Sequence, residues 1–159
     1  MPVCQIQLGM QNRELPNSAL SASSQLNAYA GPENARLHFC AESGRYGAWI
    51  AQNNYHSQYY QVDFGVETQV TRIETQGRQD SLQYVKEYTL RYSTDGSYFK
   101  QYQPSGFTKV RCFLKLTPNM FFFRYFRQSG IVPSRYIGAP FRSFLLDNVQ
   151  NYKCLLYII

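Results

Sequence analysis

The groups able to do chemistry in this 159-residue chain are two histidines, four cysteines and ten acidic side chains. His38 and His56 stand in different segments, and no nucleophile elbow, phosphate loop or metal signature accompanies either. Each reads as a surface or hydrogen-bonded structural histidine. Glu42, Asp63, Glu67, Glu74 and Glu87 are scattered rather than paired, so general acid–base work has no constellation to rest on. Cys4, Cys40, Cys112 and Cys154 form no C-x-x-C pair and have no histidine at ligand spacing, which argues against zinc. Neither an enzyme, a metal site nor a cofactor is expected. The four cysteines allow three complete pairings. Cys4 and Cys154, near the two ends, suit a staple closing the domain, worth about 4–5 kcal/mol in the chain-entropy picture. Cys40 and Cys112 read equally well as free buried thiols.

The net charge of +6 is unevenly placed. Residues 1–103 carry eight Lys/Arg against nine Asp/Glu, whereas residues 104–159 carry eight against Asp147 alone. Lys109, Arg111, Lys115, Arg124, Arg127, Arg135 and Arg142 alternate with Phe and Tyr, a composition able to stack on single-stranded nucleic acid. The plainer reading is a buried Phe-rich strand with solvated arginines, and no nucleic-acid partner is expected. No run of 18 or more apolar residues is present to span a bilayer as a helix. The opening Met1-Pro2-Val3-Cys4 has no basic stretch followed by an apolar one, so it does not read as a signal peptide.

The elements that must position any site are strands. Apolar residues make up 44% of the chain and aromatics 16%, mostly Tyr and Phe, which favour pleated surfaces. Tyr60-Gln61-Val62-Asp63-Phe64 alternates and is expected to end at Gly65; Tyr88-Thr89-Leu90-Arg91-Tyr92 alternates with Thr89 and Arg91 facing away from the core. Ser93-Thr94-Asp95-Gly96 carries a turn signal, and residues Ser97 to Tyr102 are expected to return as a partner strand. Val70 to Thr75 is a further strand, closed by Gly77. Short strands without intervening helices indicate an all-β sandwich or barrel. Three polar loops separate them: Gln25 to Asn34, Ala41 to Arg45, and Arg78 to Gln83. Leu26, Tyr29 and Leu82 are apolar side chains at loop positions, where rigid β scaffolds carry function.

The order of segments resembles the discoidin domains, the type C domains of coagulation factors five and eight. The matching stretches are Leu8-Gly9-Met10, Ser21-Ala22-Ser23-Ser24, Ala35-Arg36-Leu37, Gly47-Ala48-Trp49, Gln61-Val62-Asp63-Phe64-Gly65, Val70-Thr71-Arg72-Ile73, Thr75-Gln76-Gly77-Arg78, Tyr84-Val85-Lys86-Glu87-Tyr88 and Tyr92-Ser93-Thr94-Asp95-Gly96. Nine matches in order cover about residues 4–103. The resemblance implies an eight-stranded jelly-roll β-sandwich, a single domain over 4–154, with ligands bound at loops on one end. It implies an extracellular adhesion module reading a cell-surface glycan or protein, and a terminal disulfide between Cys4 and Cys154. It places Trp49 in the core and the ligand-binding tips at Leu26, Tyr29, Arg78, Leu82 and Gln83. In lipid-binding members, apolar residues on the first and third loops enter the bilayer; here only Leu26, Tyr29 and Leu82 are available, which makes anionic phospholipid a weak partner. Arg78 is placed to donate to a sugar hydroxyl or a carboxylate, or to pair with Asp80. The alternative is a structural domain of a larger extracellular protein with no competent site.

After about Tyr102 the pattern fades. Val132-Pro133-Ser134-Arg135-Tyr136-Ile137 echoes one family segment, but residues 104–159 read as a divergent basic, Phe-rich stretch ending in Leu155-Leu156-Tyr157-Ile158-Ile159. A foreign origin for this stretch, through a shifted or mis-spliced reading frame, would leave the sandwich short of its last strands and an apolar tail prone to association.

Overall fold

The computed structural model describes residues 8–68, 70, 73–85 and 87–103, and beyond them the backbone of strands at 110–111, 115–117, 120–123, 141–150 and 155–158. Among the described residues, ten strands form two antiparallel sheets. The first contains β1 (Leu20–Ala22), β2 (Tyr60–Thr68), β4 (Glu87–Ser93), β5 (Lys100–Gln101), β6 (Val110–Arg111) and β9 (Phe141–Gln150), in the order β1-β2-β9-β4-β5, with β6 also on β4. The second has the order β10-β3-β8-β7, built from β3 (Ile73–Gln76), β7 (Lys115–Thr117), β8 (Met120–Phe123) and β10 (Leu155–Ile158). The count exceeds the eight implied by the resemblance partly because one flank of β4 is shared. β5 pairs with Arg91 and Tyr92, while β6 pairs with Glu87 and Tyr88, so two short segments occupy successive stretches of one strand.

Beyond residue 103, backbone pairing continues. β9 lies between β2 and β4, with Val62 opposite Phe144 and Leu90 opposite Leu146. Neither β2 nor β4 is therefore an edge strand.

Three strand expectations need correction. Gly65 does not end β2: the strand runs on to Thr68, with its register to β9 shifted between Asp63 and Thr68. The Gly65 amide donates to Asp63 Oδ1 at 2.8 Å while Gly65 takes φ +74°, and this local turn bends the strand without stopping it. Thr89 does not face solvent; it is buried, and Arg91 is half-buried, so both faces of β4 are covered. Of the return strand expected over Ser97 to Tyr102, Lys100–Gln101 forms the paired strand, and the Tyr102 amide adds a bond to the Leu90 carbonyl at 2.8 Å. The Ser97 and Tyr98 amides instead donate to the Asp95 carboxylate at 2.8 and 2.9 Å, so the turn uses amides that a longer ladder would need.

The core gathers Met10, Leu20, Trp49, Tyr60, Val62 and Leu90 with neighbouring Ala and Val residues. Trp49 is buried as expected, its ring 5.5 Å from that of Tyr60. Each aromatic polar atom finds a partner in the first loop region: Trp49 Nε1 donates to the Ser24 carbonyl at 2.9 Å, and the Tyr60 hydroxyl to the Pro32 carbonyl at 3.1 Å. Arg36 is also in the interior, only 4% exposed. Its guanidinium donates to the carbonyls of Gly9, Met10 and Leu15 and to Asn17 Oδ1, tying the segment before β1 to the sandwich. Burial pushes this guanidinium below its ordinary pKa. Cys40 is free, as one reading held, but exposed rather than buried. Cys4, Cys112 and Cys154 lie outside the described residues, and with them the Cys4–Cys154 pairing.

Candidate ligand-binding site

The three loops meet at one end because the chain between 46 and 50 runs beside the first loop. Backbone bonds join Tyr46 N to Tyr29 O at 2.8 Å, Ile50 N to Ala30 O at 3.3 Å and Leu26 N to Ile50 O at 2.8 Å. Trp49, anchored in the core, holds that segment in place, so the loop inherits the rigidity of the sandwich. Asn34, fully buried, completes the junction. Its Nδ2 donates to the Tyr29 and Tyr46 carbonyls at 2.8 and 3.0 Å, and its Oδ1 accepts from Arg45. Arg45 also pairs with Glu33 at 3.4 Å and Glu42 at 3.3 Å and lies 4.7 Å from the Phe39 ring centre.

The third loop is tied in through Gly47 and Tyr46. The Gly47 amide donates to Asp80 Oδ1 at 3.1 Å, and a Cβ at Gly47 would stand 2.7 Å from that oxygen. Arg78 makes a two-pronged pair with Asp80, Nε to Oδ1 at 2.5 Å and Nη2 to Oδ2 at 2.6 Å. Its remaining edge donates to Gln83 Oε1 at 2.9 Å. The Asp80 hydrogen bond holds Arg78 above its ordinary pKa, and the same contact holds the Asp80 carboxyl below the usual carboxylate range. The guanidinium stacks 4.7 Å from the Tyr46 ring centre, and Tyr46 meets Tyr29 edge-to-face at 6.3 Å. Tyr29, Tyr46 and Arg78 thus form one continuous row across the loops.

Of the residues expected from sequence, Tyr29, Arg78 and Gln83 are connected through this row. Leu26, Tyr29 and Leu82 are exposed by 45%, 52% and 81%. Arg78 adopts the Asp80 pairing that was one of its expected roles. Tyr46, Asn34, Arg45 and Asp80 as a ligand of Gly47 were missed. The available signal was proximity: Tyr46 directly precedes Gly47-Ala48-Trp49, and Asn34 directly precedes Ala35-Arg36-Leu37. The His38 amide donates to Gln76 Oε1, and His56 lies in an exposed turn. Among the described residues no three His, Cys, Asp or Glu side chains group as metal ligands. The side chains of Lys109, Arg111, Lys115, Arg124, Arg127, Arg135 and Arg142 lie outside those described.

A two-sheet all-β scaffold with loops gathered at one end defines the class of the protein: a jelly-roll β-sandwich that presents a loop-built surface. The chain belongs to the F5/8 type C domain family, whose pattern matches residues 19–127. It is similar to lactadherin of Mus musculus, 38% identical over 115 residues, covering 67% of this chain and 24% of that protein. The chain thus spans about a quarter of that relative's length. The fold is similar to recombinant discoidin II of Dictyostelium discoideum, with TM-score 0.67 and 19% identity over 87% of this chain and 53% of that one. It is also similar to chitosan-binding module 1 of a Paenibacillus chitosanase/glucanase, with TM-score 0.59 and 13% identity over 98% and 99% of the two chains.

Proposed function

We propose that the chain is an extracellular, non-enzymatic adhesion module, one domain over 4–154, that reads a cell-surface glycan or protein through its loop end. The observation that carries this reading is the Tyr29–Tyr46–Arg78 row. The exposed Tyr29 ring, joined through Tyr46 to a fixed guanidinium that meets the Gln83 amide, suits a sugar: an apolar platform for its C–H face and directed polar groups for its hydroxyls. The chitosan-binding module named above shares the fold, an analogy of scaffold and not of site.

A second reading, an anionic phospholipid surface, is favoured by the exposure of Leu26 and Leu82 on the first and third loops. Each leucine would contribute about 1.5–3 kcal/mol on insertion, little once ordering costs are met.

Glycan-array and liposome binding of the full chain separate the two readings, and both from a purely architectural role. The double substitution Tyr29→Ala, Leu82→Ala is expected to abolish array binding while the thermal melt stays within a few degrees. Equal binding by the double variant overturns the loop-tip assignment.

A further inference from the structure

The described charges of the three loops are Glu33, Glu42, Arg45, Arg78 and Asp80, three carboxylates against two guanidiniums. Neither arginine stands alone. Arg45 is bracketed by Glu33 and Glu42 at 3.4 and 3.3 Å, and Arg78 is clasped by Asp80 through both carboxylate oxygens. The Arg78 side chain is only 12% exposed and Asp80 26%, so water screens this pair incompletely. An acidic group approaching Arg78 meets the Asp80 carboxylate at the same point, and breaking the clasp would strip the Gly47 amide of its acceptor. An uncharged hydroxyl meets no such opposition, and a carboxylate oxygen at the rim is itself an acceptor for it.

We propose that Asp80 is a specificity-determining residue that restricts the loop end to uncharged, hydroxyl-bearing glycans and turns away acidic ones. This rests on the glycan reading above and deepens it to a ligand class. Asp80 acts in two ways: it neutralises the arginine that would otherwise attract anions, and it holds the third loop against Gly47 in the conformation that presents the row. Glu33 and Glu42 do the first of these for Arg45.

The test is an array of matched glycans, each neutral core printed beside its sialylated and sulfated forms, with phosphatidylserine-containing vesicles as a separate arm. Wild type is expected to bind neutral cores at least ten-fold more strongly than their acidic forms and to leave the vesicles unbound. Asp80→Asn keeps the side chain's shape and an oxygen for Gly47 but removes the charge. It is expected to bring acidic and neutral forms within about three-fold of each other. Should Asp80→Asn melt far below wild type, the double variant Glu33→Gln, Glu42→Gln carries the same test at Arg45, with a shift in the same direction. Wild-type preference for acidic glycans overturns the charge-exclusion proposal and leaves the glycan reading standing. An unchanged ratio in the folded variant overturns the role of Asp80. Absence of binding to every glycan overturns the glycan reading and the proposal with it, and binding to the vesicles alone assigns the loop end to lipid.

Discussion

The guanidinium of Arg78 lies 4.7 Å from the centre of the Tyr46 ring and is held by its two-pronged bond to Asp80. A lysine at 78 keeps the charge but has neither the planar fork nor the stacking face. Arg78→Lys is expected to weaken glycan binding roughly ten-fold or more, the scale set by losing a charge-assisted hydrogen bond of about 1.5–3 kcal/mol. Isothermal titration with the best array ligand checks this; unchanged affinity would remove Arg78 from the binding surface.

Gly47 is needed for close approach rather than for backbone freedom. Its φ is not in the left-handed region, yet an added Cβ would stand 2.7 Å from Asp80 Oδ1 and 3.3 Å from both the Asp80 amide and Gln79 Cβ. Gly47→Ala is expected to push the third loop off its seat at a cost of about 1–3 kcal/mol. Chemical denaturation measures the cost, and amide exchange at residues 78–83 should rise while the core stays protected.

Arg36 acts by satisfying acceptors. Replacing it with Met would take the guanidinium donor from the Met10 and Leu15 carbonyls, whereas the Gly9 carbonyl keeps the Leu15 amide at 3.1 Å. Each deserted acceptor costs about 1–3 kcal/mol. Arg36→Met is expected to lower Tm by about 10 °C, with Arg36→Lys falling between it and wild type. A Tm within 2 °C of wild type in the Met variant would show that water replaces the guanidinium.

Acid should unfold the turn and the loop end through depressed carboxyls. Asp95 is held down to about 2 by the Tyr98 and Ser97 amides and the Ser93 hydroxyl, and Asp80 is lowered by Arg78. A lowered folded pKa means stability that is fully present above the ordinary carboxylate value of about 3.9. That stability is lost as pH falls through the folded value. Stability is therefore expected to be flat above pH 5 and to decline from about pH 4 towards pH 2. The double variant Asp80→Asn, Asp95→Asn should flatten that decline in urea melts recorded across the range. An equally steep fall in the double variant would assign the acid sensitivity to other carboxylates.

Local pattern in the chain determined the class of structure. Alternation in Tyr60 to Phe64 and in Tyr88 to Tyr92 and the Asp95-Gly96 turn are short-range features, each with its own physical cause. The same reading singled out Tyr29, Arg78 and Gln83 by their places in the first and third loops, and the fold brings these three together. What only the tertiary structure decided is who meets whom. Tyr46 comes to lie between Tyr29 and Arg78 because Trp49 anchors the chain beside the first loop. Asn34 is a junction because its two carbonyl partners, at 29 and 46, converge only when that packing is complete. The late start of β5 depends on amides captured by Asp95, and the burial of Thr89 depends on cover over both faces of its strand. Spacing along a chain reports periodicity; contact across dozens of residues depends on how the sheets pack. The charge balance at Arg78 was open in the sequence, between a free donor and an Asp80 pair, and the fold closed it by seating Asp80 on Gly47.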